Sequence, residues 1–143
     1  FNLLDCGQDR DDVPGLQHGI EPLAVAHVRC LIAEVEGSAA HFEVDALPPR
    51  LRRLIVAKRD RYERGVRALV ASGMRTRALR PADATVATRA FLGALNWTAQ
   101  WFRPDGTDHP DRVAALVAEF AVAGLVQPRT AGGGEAIVMK AFI

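Results

Sequence analysis

Apolar residues recur along this chain with helical spacing, and no stretch alternates as a half-buried strand would. From Ile20 to Glu36, the positions Ile20, Leu23, Ala24, His27, Val28, Leu31 and Val35 fall on one side at about 100° per residue, and Gly37 stands where such a helix closes. Ser38 can cap a short helix through Val44, which must stop before Pro48-Pro49 because proline disfavours helical geometry in the residue ahead of it. From Pro49 to Ser72 the stripe Leu51, Leu54, Ile55, Tyr62, Val66 and Leu69 predicts a long surface helix, with Gly73 as its cap. Pro81 suits the first turn of a helix running to about Arg103, where Pro104-Asp105-Gly106 forms a turn. Asp108 and Pro110 open a last helix to about Val126. The pattern predicts an all-α fold of five helices in one domain over residues 20–126, with a loose lead-in at 1–19 and a Gly-rich tail at 127–143.

The last two predicted helices are too apolar for a monomer. Val113, Leu116, Val117, Phe120, Val122 and Leu125 populate every side of the final one, and Glu119 is nearly the only charge in its middle. In the preceding helix Phe91, Leu95, Thr98 and Phe102 share one face while Val86, Ala90, Trp97 and Trp101 lie on another. A helix apolar all round must be covered all round, and the simplest cover is the same helix pair from a second chain. The expected assembly is a homodimer whose last two long helices form a four-helix bundle, with Trp101, Val113, Leu116, Val117 and Phe120 at the interface.

Composition narrows the function classes. The 143 residues carry a net charge of +1, so there is no overall field to gather nucleic acid or an anionic membrane. Two cysteines, Cys6 and Cys30, are too few for a disulfide framework, and with no signal peptide in view a reducing cytoplasm is expected. The longest apolar stretch, Ala90 to Trp101, is far shorter than the ~20 residues that cross a bilayer, so no membrane partner is expected.

Candidate chemistry is sparse. His27 and Cys30 share a helix, but neither His18 nor His41 completes a recognisable metal-ligand spacing, so no metal or other cofactor is expected. Ser38 and Ser72 lie in capping contexts without a nucleophile elbow, and the glycines at 132–134 do not precede a Lys-Ser/Thr pair. With no assignable acid, base or nucleophile, the chain is not expected to be an enzyme. Arg50, Arg53, Arg61 and Arg64 form a ridge, but interleaved Asp60 and Glu63 read as a solvated face. His27, on an apolar stripe, reads either as a satisfied core residue or as the polar group that orients an apolar ligand. Asn96, set in an apolar helix beside Trp97 and Trp101, demands a hydrogen-bond partner. His27, Tyr62, Val66, Phe91 and Asn96 fall on the inward stripes of three helices, and with Trp97 they are the expected lining of a small-molecule pocket.

The string Phe91-Leu92-Gly93-Ala94-Leu95-Asn96-Trp97-Thr98-Ala99-Gln100-Trp101-Phe102-Arg103-Pro104-Asp105-Gly106 resembles the penultimate helix of TetR-family transcriptional regulators. Leu47-Pro48-Pro49 with Leu51-Arg52-Arg53, the Tyr62 helix, and Phe120 to Leu125 extend the resemblance over about Ile20 to Val126. It implies a TetR-like regulatory domain, the effector-sensing and dimerising half of a repressor, from a branch that often answers to acyl-CoA thioesters or fatty acids. Family members begin with a helix-turn-helix, and nothing before Ile20 supplies one, so DNA contact is expected only through an N-terminal domain missing from this chain. The alternative is a helical self-association module with no small-molecule ligand.

Overall fold

The computed structural model describes residues 19–33 and 46–126. Four helices account for most of them: α1 (Ile20–Ala33), α2 (Pro49–Arg75), α3 (Ala84–Trp101) and α4 (Pro110–Ala123). Residues 1–18 of the expected 1–19 lead-in, the expected close of the first helix at Glu36-Gly37, the short helix from Ser38 to Val44 and the tail over 127–143 lie outside the described residues. Among the described residues four of the five predicted helices are present, and the only strand-like feature there is an isolated bridge between Leu79 and Val126.

The element boundaries follow local chemistry, with three departures from expectation. At α3 the start moves from Pro81 to Ala84, because the Asp83 side chain accepts the Val86 N–H at 2.8 Å and satisfies one of the orphan donors of a helix start. At α4 the cap is His109 rather than Asp108: its Nδ1 accepts the Asp111 N–H at 3.3 Å, and Pro110 takes the first position. At α2 Gly73 lies inside the helix instead of capping it, and the helix runs on to Arg75. A Cβ at position 73 would stand 2.7 Å from the Leu79 side chain, so the glycine serves a close approach of the following turn. That turn places Arg77 in the left-handed region, at φ 61°.

α3 is the hub, in contact with α1, α2 and α4, while α1 also packs along α4. The core joins Leu23, Val28 and Ile32 of α1, Val66 and Val70 of α2, Phe91, Leu92 and Leu95 of α3, and Ala114 and Ala118 of α4. Ala24, Ala114 and Ala118 have no exposure, and small side chains at such positions let helix axes come close. Only the second half of α2 joins this core, since Leu51 and Leu54 in its first half are exposed. Two ion pairs, Arg29–Asp111 at 2.9 Å and Arg89–Glu63 at 3.2 Å, link α1 to α4 and α2 to α3. Both are largely solvated and fix orientation more than they add stability.

Among the described residues, two buried hydroxyls have no hydrogen-bond partner, Thr88 Oγ1 and Thr98 Oγ1, both on the hub helix. An unmatched hydroxyl in an apolar core costs about 1–3 kcal/mol, and valine has nearly the same shape without it. Thr98→Val is therefore expected to raise unfolding free energy by about 1 kcal/mol in urea titration at unchanged denaturant slope. A loss of stability would mean that the hydroxyl is bonded in solution.

Candidate functional site

Three polar side chains meet where α1, α2 and α3 converge. His27 lies on the buried stripe of α1, 4% exposed, because it follows Leu23 and Ala24 by one helical turn. Its Nδ1 is 2.7 Å from the Tyr62 hydroxyl of α2, and its Nε2 is 2.8 Å from Asn96 Oδ1 of α3. The two rings are tilted at 39° with centroids 5.4 Å apart.

The donors and acceptors of this array can be assigned. A carbonyl oxygen only accepts, so Nε2 carries the proton and donates it to Asn96. In a neutral imidazole Nδ1 is then the acceptor, and the Tyr62 O–H donates to it. Burial pushes the Tyr62 hydroxyl well above its ordinary pKa, which keeps that donor proton in place. The ring is thereby locked in one tautomer by groups on two other helices. Asn96 uses its carbonyl oxygen on His27, while its Nδ2 makes no hydrogen bond among the described residues and the residue is half-exposed. Two amide N–H donors are thus left at the margin of the core.

Of the expected pocket residues, His27, Tyr62 and Asn96 meet in this array, and Val66 and Phe91 are buried in the core at 0% and 3% exposure. Trp97 is elsewhere. One residue beyond Asn96 it points about 100° away around the helix, is 62% exposed, and lines a separate groove between α3 and α4. That groove, about 590 Å³, is formed by Gly93, Ala94, Trp97, Thr98 and Trp101 of α3 with Leu116, Val117 and Phe120 of α4. Trp101, Leu116, Val117 and Phe120, four of the residues expected at an interface, thus line one groove. Val113 does not join them: at the α4 end that the Arg29–Asp111 pair draws to α1, it is only 7% exposed and belongs to the core.

Sequence reasoning misses Gly93 and Ala94, which add the small residues of the groove. A glycine in mid-helix is the available signal. Cys30, expected as a reduced thiol, is disulfide-bonded, so cysteine usage no longer argues for a reducing compartment. Among the described residues no cluster of His, Cys, Asp and Glu is placed to hold a metal ion, and no helix is long and apolar enough to cross a membrane.

Tyr62 is the single tyrosine of the chain, so its titration can be read alone. Its pKa is raised in the folded state, so the unfolded chain loses the proton first. Stability is untouched by this group below pH ~10 and falls as pH rises beyond it. Tyrosinate absorbance is expected to appear together with loss of helical circular dichroism, and its appearance near pH ~10 in a fully helical protein would contradict the buried array.

Residues 20–125 match the tetracyclin repressor-like C-terminal domain family. Among solved structures, the chain is similar to the TetR family transcriptional regulator PfmR from Thermus thermophilus, with a TM-score of 0.68 and 29% identity, over 81% of this chain. The aligned part spans 64% of that protein, so this chain corresponds to less than two thirds of it. No curated protein matches the sequence.

Proposed function

The chain belongs to the tetracyclin repressor-like C-terminal domain family, and from that premise we propose that it is the effector-sensing and dimerising part of a transcriptional repressor. The effector is a small, mostly apolar molecule with a polar head, of the acyl-CoA or fatty-acid type. The observation that carries this reading is the Asn96 amide, whose Nδ2 donors are left over at the edge of an apolar core after its oxygen is held by His27. An acyl carbonyl is an acceptor for those donors, and Val66 and Phe91 belong to the core against which Tyr62 packs. The His27 and Tyr62 bonds hold the amide in one orientation, which lowers the ordering cost of binding.

In this reading DNA is contacted by a helix-turn-helix outside residues 20–126. The effector acts by preferring one of two arrangements of the paired subunits, and its differential affinity sets the size of the response. The second copy docks on the face of Trp97, Trp101, Leu116 and Phe120, all large and exposed. A rival reading, self-association with no ligand, draws support from the full burial of Val66 and Phe91.

Native mass spectrometry of the purified chain separates the two readings: a copurifying small molecule supports the first, and none under any growth condition supports the second. With lauroyl-CoA as calorimetric probe, Asn96→Leu is expected to weaken binding about ten- to a hundredfold, the loss of one buried hydrogen-bonding group at ~1–3 kcal/mol. Asn96→Asp keeps an acceptor for His27 but removes the amide donors, and is expected to weaken binding while the helical content stays the same. Independently, Leu116→Glu is expected to turn a sedimenting dimer into monomers by placing an unpaired charge in the interface. A wild-type chain that sediments as a monomer at micromolar concentration would remove the dimer from this reading.

A further inference from the structure

Gly93 stands near the middle of the 18-residue α3, and nothing among the described residues explains it. A glycine in a helix interior is less favourable than alanine by about 1 kcal/mol. Here the backbone is ordinary helix, and a Cβ added at this position would meet no atom within 4 Å. The contrast with Gly73 is direct, since a Cβ there would overlap Leu79. The absence of a side chain at 93 leaves open the part of the α3–α4 groove between Trp97, Trp101 and α4.

Beside that opening, on the same face, Phe120 is 77% exposed, the most exposed large apolar side chain among the described residues. A socket and a knob on one surface are what a two-fold contact needs, because each copy then presents its knob to the other's socket. No charged residue lines the groove, so its occupant is apolar. The area also fits a second copy. At about 150–250 Å² per aromatic side chain, the exposed parts of Trp97, Trp101, Leu116 and Phe120 offer on the order of 500 Å². That is most of the ~800 Å² per partner of a stable interface.

We infer that Gly93 is the socket of this self-association and that Phe120 of the second copy fills it, so that the size of residue 93 decides which chains can pair. The inference rests on the dimer face proposed above and adds to it a pairwise contact. Since the Cβ position is open and gives onto a groove of about 590 Å³, Gly93→Leu has space to extend within one subunit, and removing a helical glycine raises helix propensity. Two such leucines, one in each socket, then exclude both knobs.

Sedimentation equilibrium of the 143-residue chain and its variants tests this. Gly93→Leu is expected to keep its helical circular dichroism and an equal or higher thermal midpoint while its dimer dissociation constant rises at least tenfold. Adding Phe120→Ala to Gly93→Leu is expected to recover part of that loss, because a smaller knob clears the filled socket. If Gly93→Leu dimerises as the wild type does while Leu116→Glu yields monomers, the socket is wrong and the dimer face stands. If neither substitution changes the association state, or the wild type is already monomeric, the dimer face itself falls and the socket with it.

Discussion

Everything else in this domain is arranged around one buried imidazole that has both of its nitrogens spoken for. His27 accepts a hydrogen bond from Tyr62 and donates one to Asn96, so a side chain on α1 is bonded to α2 on one side and to α3 on the other. A polar ring at 4% exposure would be costly without both bonds. With them it sets the rotation of three helices about their axes, which apolar contacts alone specify poorly because they have no direction. α1 and α2 make little contact elsewhere, so the His27–Tyr62 bond is the main directional tie between them.

The same rotation fixes what α3 shows on its remaining sides. With Asn96 held by His27 of α1 and Arg89 by Glu63 of α2, the core stripe of Phe91, Leu95 and Phe102 faces inward, and Gly93, Trp97 and Trp101 are carried onto the groove. One helix thus serves the polar array, the core and the candidate interface, with a separate side given to each.

Much of this is legible in the residues. The helical period locates all four described helices, and proline places the starts of α2, α3 and α4 within a few residues. The remaining errors come from tertiary contacts: Gly73 reads as a cap because nothing in the sequence shows that Leu79, six residues on, lies against it. Burial along a stripe is overestimated for α2, where Leu51 and Leu54 repeat with the right period but no described helix reaches them. His27, Tyr62 and Asn96 can be assigned to a common region because each is a polar group on an apolar stripe. That the histidine stands between the other two depends on helix rotation and separation, which periodicity leaves free. Trp97 groups with Asn96 on the page because they adjoin in sequence, although a single step around a helix turns them to different neighbours.

The bridge between Leu79 and Val126 has a mechanical meaning. Arg80 donates its backbone N–H to the Leu125 carbonyl at 2.9 Å, so the chain that leaves through α3 and returns through α4 is pinned to its own starting point. The segment is therefore closed at both ends, by the Pro104 turn at one and by this bond at the other. The two walls of the groove are tied to each other at top and bottom before any second chain is met, while the left-handed Arg77 lies outside the closure, on the connection back to α2.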